Sequence, residues 1–218
     1  KRKDIGNITD FPKFKKEYTS LSDIIDHTNN VPDLTDKLIV TRNIWNDFLC
    51  ILKDNLCPIP KFPIWTDIWD TDVSDDFYKM YKSTVDKNKK FYEDNVDILE
   101  PWLIESRSNE LWKGAIRKLE WQVGTNSGTL NETLWSPRGS GIRVKNLDYS
   151  PTLVAMASMI PIYGPYSRQL TPRECARLQS FPEEFILHED PKVNYKHFGN
   201  AVNVIMISWC VSFLINSH

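Results

Sequence analysis

The sequence is short of several features that would settle its class at once. Its four cysteines, Cys50, Cys57, Cys175 and Cys210, form no CxxC pair and have no paired histidines beside them, which argues against a zinc site. It has no excess of one charge: 27 Lys and Arg stand against 29 Asp and Glu, a formal net charge of −2. No global basic field therefore draws it to nucleic acid, and any such contact must come from a local patch. Long hydrophobic runs are missing too. The only strongly apolar stretch, Ala201–Ile215, is shorter than the roughly 20 residues a helix needs to span a bilayer, so no membrane association is expected. Lys1-Arg2-Lys3-Asp4 leads into polar sequence and not into a signal peptide. The expected setting is cytoplasmic, with reduced, buried thiols. A first residue other than Met fits a fragment or a processed product. There is no internal repeat.

What is present is a globular composition of 218 residues, 41% hydrophobic and 12% aromatic, with 13 prolines and eight tryptophans. That allows one domain or two small ones, with many turns. Residues 1–35 read as loop and turn, broken at Asp10-Phe11-Pro12 and Val31-Pro32-Asp33. A helix is expected from Thr35, where Leu38, Val40, Ile44, Trp45, Phe48, Leu49 and Leu52 fall mostly three or four apart. Cys57-Pro58-Ile59-Pro60 stops it, and Phe62-Pro63-Ile64-Trp65 continues as an extended stretch. Asp67, Asp70, Asp72, Asp75 and Asp76 read as a solvated acidic surface, held away from any duplex, in preference to a divalent-metal site. Residues 76–122 look helical, followed by a loop-rich stretch with Gly124, Gly128, Pro137, Gly139 and Gly141. Two strands are expected, Ile142–Lys145 and Thr152–Ala155. In the first, apolar and basic residues alternate, so Arg143 and Lys145 share the face opposite the buried one. With Arg138 in the adjacent glycine-rich loop, they are candidate DNA contacts, for phosphate or for guanine.

The sharpest local signal is Arg168-Gln169-Leu170-Thr171-Pro172-Arg173-Glu174-Cys175-Ala176-Arg177-Leu178-Gln179-Ser180-Phe181-Pro182. Physically it is a helix start: Thr171 can cap, Pro172 suits the first helical position, and Glu174 completes a capping box. The string as a whole closely resembles the ninth sequence motif of the DNA cytosine-5 methyltransferases. At the expected distance, Tyr195-Lys196-His197-Phe198-Gly199-Asn200-Ala201-Val202 resembles the tenth and last. More loosely, Ser140–Lys145 and Tyr149–Val154 resemble the target-recognition region of a bacterial restriction-modification subgroup, as do Phe62–Trp65 and Arg117–Gln122. The resemblance covers most of 60–215, strongly over 168–202 and weakly before 110.

The resemblance implies an α+β chain in two parts: a loop-rich target-recognition domain over 1–166, and over 167–218 the C-terminal piece of an α/β S-adenosylmethionine-dependent methyltransferase domain. It implies a partner as well, the catalytic N-terminal half or subunit, and double-stranded DNA as substrate, methylated at C5 of cytosine in a specific sequence. Thr152 and Leu153 match the family's Thr-aliphatic pair in the recognition region, which makes them DNA-contact candidates. Asn200, Ala201 and Val202 would approach the methionine end of the cofactor; otherwise Asn200 merely caps the helix that follows. The family's cofactor turn Phe-x-Gly-x-Gly, its nucleophilic Pro-Cys pair and its Glu-Asn-Val string do not occur in this sequence. No residue is therefore assigned to catalysis, and the isolated chain is expected to be inactive. Arg173, Glu174 and Arg177 read as a capping and ion-pair network ahead of DNA contacts, and His188 and His197 as loop histidines. From Asn203 to Ile215 the terminal helix is apolar nearly all round, so it is buried by the chain's own folding or offers a patch to the missing half. Two other readings stand beside this one: a non-catalytic DNA-binding or assembly module, and part of a related RNA cytosine-5 methyltransferase.

Overall fold

A computed structural model describes residues 20–26, 33–124 and 128–216. The breakers at 10–12 and the Val31-Pro32 pair lie outside the described residues. Helices and a mixed six-stranded sheet make the fold α+β. Among the described residues two compact units are formed, one from 33–124, 128–153 and 158–170, the other from 20–26, 154–157 and 171–216.

The first unit holds the sheet. Helix α1 spans Asp36–Asp54 and buries Thr41, Trp45, Phe48, Leu49 and Leu52; the last four belong to the stripe its sequence spacing predicts, of which Leu38, Val40 and Ile44 are half-buried. Helices α2 (Asp75–Glu93) and α3 (Val96–Ser108) follow. The expected helix over 76–122 therefore ends early. Gly114 takes a φ of +75°, a left-handed value that costs glycine least, and Lys118–Gln122 then runs as a strand, β2. Strand β1 is Ile64–Trp65, β3 Leu134–Arg138, β4 Gly141–Lys145, β5 Ile162–Tyr163 and β6 Arg168–Gln169. The order is β1-β2-β4-β3-β5-β6, with β2 and β4 parallel and the other pairs antiparallel. The strand expected at Thr152–Ala155 is instead irregular chain.

One face of the sheet belongs to the core. Leu119, Trp121, Trp135, Ile142, Val144 and Ile162 bury against Trp45, Phe48, Trp69, Trp102 and Trp112. Trp45 stacks edge-on against Phe48 and Trp112, each with ring centroids 5.3 Å apart, a favoured geometry for quadrupolar rings. Its indole N–H donates to the Ile116 carbonyl at 2.9 Å. Buried Asn88 locks α2 to β1: Oδ1 accepts from the Trp65 amide (2.7 Å) and the Trp69 indole (3.2 Å), and Nδ2 donates to the Pro63 and Thr84 carbonyls. The acidic run lies at the surface as expected, with Asp70, Asp72, Asp75 and Asp76 exposed, and two of its members pair with arginines. Asp67 pairs with Arg117 at 3.0 Å, and Asp70 takes both terminal nitrogens of Arg107, at 2.5 and 2.7 Å.

Among the described residues the second unit contains three α-helices, α4 (Pro172–Leu178), α5 (Pro191–Asn200) and α6 (Val204–Asn216), besides a short 3-10 turn at Leu21–Asp23. His197 lies in α5 and not in a loop. The apolar terminal helix is not buried by the chain's own folding among the described residues: Met206, Ile207, Val211, Leu214 and Ile215 are exposed. Taken across the break at 201–203, Pro191–Ile215 is long and apolar enough by composition to cross a membrane. The 13 residues of α6 alone rise only about 20 Å, against a hydrocarbon core of roughly 30 Å. Burial of the thiols is overturned for most: Cys50 and Cys210 are exposed, Cys57 is half-buried and only Cys175 is enclosed.

Candidate functional site

On β2 and β4 the sheet face opposite the core is polar because side chains alternate along each strand, while Leu134 of β3 is buried on that same side. In β4, Ile142 and Val144 are buried while Arg143 and Lys145 lie half-exposed on the other face, as the alternation predicts. The register sets Glu120 of β2 against Arg143 and Gln122 against Lys145, and Ser136 of β3 flanks Arg143 from the other side. Lys118, two residues before Glu120, holds its ammonium 4.5 Å from the ring centroid of Trp65 on β1, a cation–π contact. Lys118, Arg143 and Lys145 thus stand on one face with a single carboxylate among them, Glu120, whose Oε2 accepts from Arg143 Nε at 3.0 Å. Sequence reading missed Lys118 and Glu120 as members of this face, although Lys-Leu-Glu-Trp-Gln alternates with period two.

Arg138 sits at the end of β3, not in a loop, and is half-buried. Its Nε donates to Ser136 Oγ at 3.2 Å and its Nη2 to the Thr152 carbonyl. Burial, and then the nearby Arg143 guanidinium, push Arg138 below the usual arginine range. The residue therefore ties the Thr152 segment to the strand and leaves Arg143 and Lys145 as the more open cations. Thr152 is exposed, whereas Leu153 is only 7% exposed and anchors the segment.

In the unit without the sheet, the helix start at Thr171 forms as expected. Thr171 Oγ1 accepts from the Glu174 amide at 3.1 Å, and Glu174 Oε2 accepts from the Thr171 amide at 2.7 Å. Glu174 is fully buried, and its Oε1 accepts from the Asp26 amide at 2.8 Å. Arg177 bonds Asp26 and makes two bonds to Glu183, at 2.7 and 3.0 Å, and Arg173 donates to the Phe185 carbonyl at 2.8 Å. These three side chains hold segments together, which is the network reading of them. Burial, reinforced by the Glu174 carboxylate, raises the Cys175 thiol well above its ordinary value, the opposite of what a thiolate nucleophile needs.

The residues resembling the tenth motif close onto this helix. Gln179 Nε2 donates to the carbonyls of Phe198 (2.9 Å) and Ala201 (3.3 Å), and the Val204 amide returns a bond to the Gln179 carbonyl. Asn203 Nδ2 reaches Leu178 O and Ser180 Oγ, while its Oδ1 accepts from the Met206 amide at 3.1 Å. Asn203, not Asn200, therefore caps α6. Asn200 ends α5 and is exposed, Ala201 is half-buried, and Val202 is 61% exposed. His188 Nδ1 accepts from the Asp190 amide. Among the described residues no group of three or more His, Cys, Asp or Glu side chains is placed to hold a metal.

Residues 8–212 match the model of the C-5 cytosine-specific DNA methylase family. The chain is 45% identical over 96 residues to the type II methyltransferase M.AluI of Cellulosimicrobium cellulans, covering 44% of this chain and 18% of that protein. To M.SsoII of Shigella sonnei it is 30% identical over 112 residues, 42% of this chain and 30% of that one. To M.HhaI of Haemophilus parahaemolyticus it is 32% identical over 90 residues, 41% and 26% of the two chains. The matched stretches span less than a third of each of these relatives. No solved structure matches the chain. A family match that runs through nearly the whole sequence, both units included, makes this chain a member of the C-5 cytosine-specific DNA methylase family.

Proposed function

We propose that the chain is the DNA-recognition and C-terminal part of a DNA (cytosine-5) methyltransferase that methylates C5 of cytosine within a specific sequence. The observation that carries this reading is the local gathering of Lys118, Arg143 and Lys145 on the polar face of the sheet, in a protein of net charge −2. Phosphate contact requires such a patch and gains nothing from an overall field this weak. Thr152 offers a hydroxyl beside that face, with Leu153 fixing its position and Arg138 holding its carbonyl.

The reaction needs the target base turned out of the duplex and a methyl donor beside it. S-adenosylmethionine supplies the methyl group when bound. Gln179 and Asn203 hold the 200–202 turn from its inner side, which leaves Asn200 and Val202 exposed to meet the donor. Nothing in this sequence matches the family's Pro-Cys nucleophile, and Cys175 is enclosed with a raised pKa, so the reactive groups belong to a catalytic N-terminal half or subunit. The exposed apolar side of α6 is the surface for that half. Each aliphatic side chain covered there contributes about 1.5–3 kcal/mol before association costs.

Binding of labelled duplex DNA, with structured RNA as competitor and salt as the variable, tests the reading. Duplex DNA is expected to bind in preference to RNA. Replacing Lys118 and Lys145 by Ala should make the slope of log affinity against log salt shallower by about 1.8. Preference for RNA, or an unchanged slope, removes this face from a DNA interface.

A further inference from the structure

We infer that Glu120 is a positioning residue that holds Arg143 as a reader of guanine on the open face of the sheet. The inference rests on the DNA-recognition reading and adds to it the residue pair that discriminates sequence.

Glu120 and Arg143 face each other directly across the parallel β2–β4 pair. The contact is made by Arg143 Nε alone, at 3.0 Å from Glu120 Oε2; both Nη groups of Arg143 are without a partner among the described residues. Arg117 gives Nη1 to Asp67 and Nε to the Trp112 carbonyl, and two further carboxylate-bound arginines among the described residues, Arg107 and Arg177, commit more of the guanidinium. Arg107 gives both Nη nitrogens to Asp70, and Arg177 gives Nε and Nη2 to Glu183 and Nη1 to Asp26. Those arginines have used their planar forks within the protein, and Arg143 has not. Its side chain is 38% exposed while that of Glu120 is 19% exposed, so the carboxylate lies the deeper of the two and the guanidinium the more accessible.

A free pair of Nη groups on a guanidinium fixed through its third nitrogen suits O6 and N7 of guanine, the commonest specific contact in the major groove. Fixing the plane beforehand removes part of the ordering cost that a free arginine carries on binding. The carboxylate also has a cost, because a negative charge on a phosphate-facing surface opposes binding. A residue that weakens attraction to every duplex while orienting the base-reading group trades affinity for discrimination.

That trade gives opposite signs for affinity and specificity. The full chain and its E120A, E120Q and R143K variants are incubated with a pool of duplexes carrying a randomised centre, and the bound fraction is sequenced. Total affinity for the pool and thermal melting are measured in parallel. The chain is expected to enrich guanine at one position, and R143K to lose roughly a five- to hundredfold preference there. E120A should bind the pool more tightly yet lose much of the preference. E120Q should keep the preference, because its amide oxygen still accepts from Nε. Duplex binding in which E120A keeps its guanine preference, or in which both Glu120 variants lose affinity and preference together, overturns the inference and leaves the DNA reading standing. So does duplex binding with no guanine enrichment that R143K abolishes. Failure of the unaltered chain to bind any duplex overturns the DNA reading itself.

Discussion

The backbone of Val154 closes directly over Gly199. A methyl group at position 199 would stand 2.1 Å from the Val154 carbonyl carbon and 2.2 Å from the Ala155 nitrogen. Both obstructions are main chain, so no side-chain rotation relieves them. Gly199→Ala should destabilise the unit formed by 20–26, 154–157 and 171–216 by about the 1–3 kcal/mol usual for overpacking, at the lower end if the segment shifts. An unchanged midpoint in urea would show that 154–155 yields freely.

Glu174 should matter more than the hydroxyl it partners. Thr171→Ala removes one capping acceptor and is expected to cost about 1 kcal/mol. Glu174→Ala orphans the amides of both Thr171 and Asp26 around a fully buried site, at about 1–3 kcal/mol each. Equal losses for the two variants in equilibrium denaturation would assign Glu174 no role beyond the cap.

Thiol labelling reports on α6. Cys50 and Cys210 should react with a maleimide in the native chain, Cys57 slowly, and enclosed Cys175 only on unfolding. If the catalytic half covers α6, its addition should protect Cys210 and leave Cys50 reactive. Ile207→Asp and Leu214→Asp, both at exposed positions, should then abolish protection and methyl transfer together while leaving duplex binding intact. Transfer of tritiated methyl groups by the 218-residue chain alone would contradict the assignment of the nucleophile elsewhere.

The Asp70–Arg107 pair sets an acid-side expectation. Hydrogen bonding from Arg107, against the opposing effect of burial, holds the Asp70 carboxyl below its ordinary value near 3.8. A depressed folded-state pKa contributes stability above the unfolded value, and that contribution is lost as pH falls through the folded one. Asp70→Asn should therefore lower stability near neutrality, with the difference from the parent shrinking below about pH 4. A gap that stays constant to pH 2 would place the effect outside this pair. The carboxylate is part-exposed, so the size of the gap will depend on salt.

Where local rules agreed, the sequence was legible. The α1 stripe, the capping box at Thr171 and the alternation in Ile142–Lys145 each rest on one period or one cap, and each formed. Strand β2 was misread because Ala115–Trp121 also satisfies helical spacing; the competing period-two pattern of Lys118–Gln122 wins once β1 and β4 flank it. Strand β3 was hidden by Pro137, a poor residue for a central strand. It is tolerated because β5 pairs only with Leu134 and Trp135, so no neighbour on that side needs the missing N–H. The basic residues of β4 were found from their own strand, but Glu120 becomes visible only through a register that joins residues 23 apart in sequence.

The return of the chain at 154–157 bears on how the proposed recognition unit could be exchanged between relatives. A graft ending at 153 would carry β1 to β4 and leave β5 and β6 behind, unpairing Leu134 and Trp135 from Tyr163 and Ile162. A graft that keeps all six strands must bring 154–157 with it, and Val154 and Ala155 are the backbone on which Gly199 closes. If the sheet unit acts as the proposed recognition module, it is interchangeable only between hosts whose segments at both 154–155 and 199 match, which would tie the choice of target sequence to a small patch of main chain that need never touch DNA.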